Sequence, residues 1–511
     1  MLSRFSKMAR CCGLLLLILC LAPAAHAQSM MDQFADDVTT FTLDNGLTFV
    51  VIERHDAPVV SFHTYADVGS VNEPQGQTGI AHMFEHMAFK GTTSIGSKNI
   101  QKEMAALQRQ ADIYQELMAE RAKGRLADST RLRNLEEKFK AAREEAQSYV
   151  AGGAYENLLE RNGVAGLNAY TSADATGYIY SLPANKLELF FALEADRFRN
   201  PVLREFYTER NVVMEERRQR TESNPIGRLL EETLAAAFKA HPYGAPTIGH
   251  MSDLQTISRT QAKQFYETYY VASNLTIGIA GDVNPEQVKA LAQEYFGPMA
   301  DKKPPLPVTT EEPKQLGERR VIIRESTQPF IIMGYHRGSM FSPDDPVYDI
   351  LASVLSNGRT SRLYKQLVET GKALNAQAIS SFPGDKYPSL FALFAVPNRG
   401  VSPDSVEQMV YDVLERIKTE GITQEELERA KTKARANLIQ GLDSNSGLAR
   451  AFSRMEALTG DWRNVFRRLD ALQAVTAADV QRVAQDTFVR SNRTVGMIKS
   501  ADDAAPTASA Q

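Results

Sequence analysis

Two imidazoles and a carboxylate stand together in His82-Met83-Phe84-Glu85-His86. Residues four apart share one face of an α-helix, so His82 and His86 can grip a single metal ion while Glu85, beside them, reaches a water on that ion. The order H-x-x-E-H reverses the H-E-x-x-H of thermolysin-like enzymes and matches the inverzincin signature, which points to zinc-dependent hydrolysis. A structural histidine pair is the plainer alternative, but the chain holds only eight histidines in 511 residues, so chance seldom places two of them around a glutamate at this spacing.

A catalytic zinc needs a third protein ligand and one open position. Cys11, Cys12 and Cys20 are the only cysteines and all precede Ala27. They fall in a segment with the pattern of a cleaved leader: basic Arg4, Lys7 and Arg10, an apolar run Gly13 to Leu21, and Ala25-His26-Ala27 as the cleavage site. Residues 1–27 are therefore expected to be removed on export to a bacterial periplasm, leaving no thiolate ligand or disulfide in the mature protein. A lipid anchor on Cys20 is a competing fate, opposed by the bulky Leu19 before it.

The third ligand must then be a histidine or a carboxylate, and the best source is the run Glu209 to Glu216. Glu209, Val212, Val213 and Glu216 recur at helical spacing and define one inward side, while Glu215 turns towards a basic surface of Arg217 and Arg218. Glu216 is assigned as the ligand of the one Zn2+ per chain. Glu209, two turns earlier, is placed to hydrogen-bond a ligating histidine.

The elements that must position these residues come from a duplicated unit. Leu254 to Ile279 aligns without gaps to Leu472 to Met497, with Leu, Gln, Val, Ser, Asn, Thr and Gly identical at seven positions from Leu254/Leu472 to Gly278/Gly496. In each copy Ser258 or Thr476 reads as a helix cap, and the β-branched stretch after the Asn reads as a strand. Val50-Val51-Ile52 matches Val321-Ile322-Ile323 at a longer separation, so the first copy carries roughly 50 extra residues. These are residues 99–150, an Ala/Glu/Lys/Arg-rich pair of helical stretches broken at Gly124 to Ser129, which predicts an inserted helical hairpin. At this alignment His82, Glu85 and His86 fall opposite Ser353, Ser356 and Asn357, so the second copy is blank.

Strands at Thr48 to Glu53 and Ser61 to Val68 followed by helical stretches give an α+β class in two homologous domains. The expected boundaries are a catalytic domain at 28–300, a Pro/Lys/Glu-rich linker at 301–317, an inactive domain at 318–498 and a disordered tail at 499–511. The net charge of −4 becomes more acidic once the basic leader is lost, which argues against nucleic acid as a partner. No later stretch is apolar enough to cross a membrane.

The motifs Leu43-Asp44-Asn45-Gly46-Leu47, Gly79-Ile80-Ala81-His82 through Phe89-Lys90-Gly91-Thr92, Asn168-Ala169-Tyr170-Thr171, Thr176-Gly177-Tyr178, Asn211 to Glu216 and His241-Pro242-Tyr243-Gly244 span nearly all of the mature chain. In these the sequence resembles the insulinase/pitrilysin family of zinc peptidases, in its shorter branch with the mitochondrial processing peptidase and bacterial relatives. The resemblance implies α/β-sandwich packing of each domain in one half of a clamshell, zinc on His82, His86 and Glu216, Glu85 as general base, and substrate peptide paired to an edge strand at Asn168 and Ala169.

It also implies an Arg/Tyr pair, seven positions apart, in the inactive half of self-sufficient relatives. Val368 and Asn375 occupy those positions here. The expectation is a zinc endopeptidase that pairs with a homologous metal-less chain supplying the Arg and Tyr, with a homodimer as the lesser alternative. A maturase for one peptide precursor would use the same site. A non-catalytic assembly subunit is the remaining alternative, and the presence of His82, Glu85, His86 and Glu216 argues against it.

Overall fold

The computed structural model describes residues 31–32 and 34–500. The leader assigned to residues 1–27 and the stretch 501–511 lie outside the described residues. Eleven strands among the described residues form two sheets: β1 (Val38–Thr42), β2 (Thr48–Glu53), β3 (Val59–Ala66), β4 (Ala165–Thr171), β5 (Thr176–Pro183) and β6 (Leu275–Gly281), then β7 (Arg319–Arg324), β8 (Phe330–Arg337), β9 (Ala373–Phe382), β10 (Ser389–Pro397) and β11 (Arg493–Lys499). The first sheet runs β1-β2-β6-β3-β5-β4 and the second β7-β11-β8-β10-β9. Leaving β1 aside, the two orders are the same, down to the one parallel pair in each, β2 with β6 and β7 with β11. The repeat in sequence is thus a repeat in topology, and the fold is two homologous α/β domains.

Two expected ends shift. The strand expected from Ser61 to Val68 runs instead from Val59 to Ala66, because the Val68 N–H turns back onto the Ala66 carbonyl and ends the ladder. Lys499, assigned to the tail, closes β11: it pairs with Arg324 in the ladder and its ammonium meets Asp404 at 2.7 Å.

Both sheets are covered on both faces, which explains their continuous apolar runs. Along β2 the side chains alternate between two cores. Phe49 and Val51 enter the core of the first domain, whereas Val50 and Ile52 pack with Phe452, Trp462 and Phe466 of the second half. The helix Asn445–Thr459, which carries Phe452, lies across β2, β3 and β6, and Trp462 and Phe466 follow it in the chain. The exchange is reciprocal: Pro225–Ala237, from the first half, lies across β7 and β11 and sets Leu229 against Ile332 and Ile498. Gly278 and Gly496, identical in the repeat, mark the two crossings. A Cβ on Gly278 would overlap the Ala449 carbonyl oxygen, and one on Gly496 would overlap the Thr233 hydroxyl.

Polar contacts tie the halves together near β4. His63, fully buried on β3, has its Nδ1 2.7 Å from Ser453 Oγ and its Nε2 3.1 Å from the Tyr170 hydroxyl. Because Ser453 donates to the Ala449 carbonyl, it accepts from His63, and Tyr170 donates to the other ring nitrogen. Burial, with Arg450 nearby, pushes this imidazole down to about 3 and keeps it neutral. Beyond the end of β4, Asp174 accepts from the Tyr243 hydroxyl at 2.5 Å and from the backbone N–H groups of Asp385 and Lys386. The His-Pro-Tyr-Gly motif therefore serves the seam between domains.

The hairpin appears as Ile100–Arg121 and Ser129–Ser148, packed side by side and opening with Asn99 and Asp128 as helix caps. Residues between 301 and 316 form no regular element, but they are pinned. Glu312 accepts the N–H groups of Lys239, Ala240 and His241, and Gln315 donates to the Arg493 carbonyl at 2.7 Å.

If the crossing helix sets the sheet's outer face, Gly278→Ala should destabilise the protein by about 1–3 kcal/mol, the usual cost of overpacking. Gly441→Ala, at a helix position with open space around it, should be neutral or slightly stabilising. Thermal denaturation of the two variants checks this; equal melting temperatures would show that the crossing is not close-packed.

Candidate metal centre

The motif lies on the short helix Ile80–Met87, anchored by buried Ile80, Ala81, Met83, Phe84 and Met87. Its start is built from several directions. Gly79 adopts φ 91°, open to glycine and poor for other residues, and the Glu73 carboxylate accepts the N–H groups of Gly79 and Ala81, each at 2.8 Å. Burial pushes this carboxyl up to about 8, with the two N–H donors drawing it part of the way back, and its oxygens satisfy two orphan donors at the helix start. Beyond the helix, fully buried Arg204 donates to the carbonyls of Lys90, Thr92 and Ile95 and pairs with Glu103 at 2.8 Å, which holds the Phe-Lys-Gly-Thr loop.

The second helix, Phe206–Arg217, rests on its neighbours through Phe206, Tyr207 and Val213. Where it meets the motif helix, Glu216 Oε2 lies 3.6 Å from His82 Nε2 and 3.3 Å from His86 Nε2. The two imidazole planes stand nearly perpendicular, at 88°. Among the described residues this is the only group of three metal-ligating side chains whose donor atoms all lie within 4.8 Å of one another. Glu216 Oε2 is buried without any hydrogen-bond partner, an arrangement that costs free energy unless a cation is present. Two nitrogens and a carboxylate oxygen suit Zn2+ and leave a fourth position open.

Glu209 Oε2 sits 3.6 Å from His86 Nδ1, on the far edge of the ring from Glu216, and Lys90 meets Glu209 Oε1 at 2.7 Å. The Glu209 bond raises His86. Burial would lift Glu209, but His86 and Lys90 outweigh it and hold the carboxyl below its usual range. Burial pushes His82 down to about 4, so this ring is neutral and available as a ligand. Glu85, half-buried beside Thr171 of β4, is raised by burial, with Thr171 and His86 drawing it part of the way back.

A model described as "Insulinase (Peptidase family M16)" matches residues 48–117 and 142–250, and one described as "Peptidase M16 inactive domain" matches residues 256–434. The chain belongs to peptidase family M16. The stretch left out between the two matched parts, 118–141, lies in the helical hairpin. This M16 chain is 28% identical over 497 residues to the zinc protease PqqE of Helicobacter pylori, covering 94% of this chain and 96% of that one. It is 26% identical to an uncharacterized zinc protease of Mycobacterium leprae, with 87% of each covered. Among solved structures it resembles a protease from Helicobacter pylori at TM-score 0.75 and 26% identity, over 90% of this chain and 99% of that one. The periplasmic protease PqqL from Escherichia coli shares the fold at TM-score 0.65 and 18% identity; 93% of this chain corresponds to 49% of that one.

The second half of the M16 chain keeps the cleft and loses the chemistry. Ser353, Ser356 and Asn357 on and just after the helix Asp345–Ser356 stand where the first half has His82, Glu85 and His86. Carried at the separation of the Leu254 to Ile279 repeat, Glu216 falls on Ala434. All four of these residues line one cavity of about 490 Å³, bordered by edge strand β9. Asn375 lines it too, whereas Val368 packs against the second core.

Two readings of the Glu209 to Glu216 run are corrected. Val212, expected to face inward, is 46% exposed, because the buried stripe of this helix runs through Phe206, Val213 and Arg217 and passes beside it. Arg217, taken as surface, is buried: it donates to the Gly249 carbonyl and meets Glu231 at 3.0 Å. Glu215 does face outward, paired with Arg218 at 2.7 Å. Residues that pattern reasoning passed over are Glu73, Lys90, Thr171 and Arg220, the last 2.7 Å from Glu216 Oε1. Only Arg220, four residues after Glu216 on a helical run, carried a spacing signal.

Purified mature protein should hold about one zinc per chain. His86→Ala and Glu216→Ala should empty the site, while Glu215→Ala should leave it full. Metal analysis after dialysis decides the ligand: full zinc in Glu216→Ala with loss in Glu215→Ala would reverse the assignment.

Proposed function

We propose that this chain is a zinc-dependent endopeptidase of the bacterial periplasm, cleaving extended peptides as the catalytic subunit of a two-chain enzyme. The observation that carries the reading is the convergence of His82 Nε2, His86 Nε2 and the partnerless Glu216 Oε2, with Glu85 one residue from His86. Bound there, zinc supplies a Lewis acid for the scissile carbonyl and brings the pKa of water to about 7.

Glu85 takes a proton from the attacking water and later delivers it to the leaving nitrogen. Its carboxyl, raised by burial, is better matched to holding that proton between the two steps than an exposed one. Glu209, 3.6 Å from His86 Nδ1, attracts that edge of the ring and so keeps Nε2 turned towards Glu216, while Lys90 keeps Glu209 ionised. Substrate adds as a further strand along β4, at the open edge of its sheet. The Asn168 side-chain oxygen now accepts the Ala169 N–H at 3.0 Å, a place that a substrate carbonyl takes over on binding. Tyr170, locked to His63 and the second half, keeps this edge in register.

The partner follows from the second half. Val368 and Asn375 offer neither cation nor phenol to hold substrate backbone, so a homologous chain with an Arg and a Tyr completes the cleft. The periplasmic protease PqqL, of which this chain corresponds to 49%, agrees with an assembly of two such units. The leader pattern of residues 1–27 supports a periplasmic location for this chain. No helix among the described residues is long and apolar enough to cross a membrane.

Glu85→Gln should retain zinc and fold while hydrolysis falls by about 10²–10⁴, as for a lost general base. Substantial turnover in the zinc-loaded variant would move that role to another residue. Mixing experiments test the pairing: a chain of similar length, without H-x-x-E-H but with the Arg and Tyr, should raise the rate on unstructured peptides by about a hundredfold. Full activity of this chain alone would refute the heterodimer.

A further inference from the structure

Arg220 has no role in the chemistry above, yet it touches the metal site. It lies in a π-helical turn, Arg218–Glu222, that extends the helix carrying Glu216. Its Nη1 stands 2.7 Å from Glu216 Oε1, the oxygen that does not face the histidines. Glu216 is 18% exposed and Arg220 69%, so the guanidinium reaches from solvent over the rim onto the ligand. Neighbouring cations are already engaged: Arg217 with Glu231, Arg218 with Glu215 and Lys90 with Glu209. Glu216 is the only acidic partner of Arg220 among the described residues.

A guanidinium carries five N–H donors in a planar fork, and one edge suffices for Glu216. With Arg220 69% exposed, the rest of the fork is open to solvent beside Glu216, whose neighbours include the carboxyl groups of Glu85 and Glu209. We infer that Arg220 is a specificity residue: its free edge binds a carboxylate of the substrate peptide beside the metal site while its engaged edge holds Glu216. The carboxylate can come from an acidic side chain near the scissile bond or from a free C-terminus. This inference rests on the peptidase reading for its substrate class.

The test uses binding, which does not depend on turnover. One extended peptide is made in three forms: neutral with an amidated C-terminus, the same with a central Glu, and the same with a free C-terminal carboxylate. Affinities are measured on the Glu85→Gln protein, zinc-loaded and metal-stripped, and on Arg220→Gln and Arg220→Lys in that background. One carboxylate form should bind about tenfold or more tightly than the neutral peptide, as a charge-assisted bidentate contact allows, and which form does so identifies the source. Arg220→Gln should erase that preference and leave the neutral peptide unchanged within about twofold; Arg220→Lys should keep part of it.

Equal affinity for all three peptides overturns the inference, as does a preference that survives Arg220→Gln. Equal weakening of all three in Arg220→Gln overturns it as well, because Arg220 would then only hold Glu216. Should Arg220→Gln lose zinc, Arg220→Lys decides, since lysine keeps the charge beside Glu216 without the fork: an undiminished preference there sinks the proposal. A zinc-loaded wild-type protein that shows the carboxylate preference but cleaves none of the peptides even when mixed with the Arg- and Tyr-bearing partner chain rejects the peptidase reading and leaves this inference standing.

Discussion

A buried carboxylate oxygen with no donor is an expensive thing to fold around, and Glu216 Oε2 is such an atom. It exists because two helices from distant parts of the chain meet face to face, one carrying the imidazoles and the other the carboxylate. Much of the surrounding structure restrains that meeting. Glu73 pins the start of the first helix, Arg204 pins the loop after it, Glu209 and Lys90 orient the His86 ring from behind, and Arg220 neutralises the other Glu216 oxygen. Each restraint is itself a paired polar group.

The same economy explains the duplication. A sheet with apolar side chains on both faces needs two covers, and one domain's own helices supply only one. Each half therefore lends a helix to the other, Asn445–Thr459 in one direction and Pro225–Ala237 in the other. The second half gains from this an obligatory structural task that is independent of chemistry. It can lose every ligating residue, as it has at Ser353, Ser356, Asn357 and Ala434, while the cleft between helix and edge strand persists. His63 carries the dependence to edge strand β4 of the first half, since its neutral ring joins Tyr170 of β4 to Ser453 of the lent helix.

Membership of peptidase family M16 accounts for the fold and for the ancestry of both halves. It does not distinguish an active chain from a silent one, because the family contains both kinds of domain. That distinction rests on this chain's own atoms. The first half retains two ring nitrogens and a carboxylate oxygen at one point with a raised carboxyl alongside, and the second half has two hydroxyls, one carboxamide and a methyl group in the corresponding places.

The sequence by itself determined whatever depends on local spacing. The i, i+4 histidines, the Ser258 and Thr476 caps, the inserted hairpin and the duplication all follow from short-range periodicity or from direct comparison of one stretch with another. Tertiary structure alone decided what depends on which surfaces meet. Val212 is exposed because the buried stripe of its helix passes beside it, and Arg217 is buried because a carbonyl and a carboxylate from other elements receive it. Gly278 and Gly496 stood out in the repeat without a reason until the crossing helices supplied one. Glu73, Lys90 and Thr171 carry no periodicity that marks them, since their partners are fixed by loop paths and helix packing. Helical spacing is a property of a few consecutive residues; the partner of a charged group is a property of the whole packed chain.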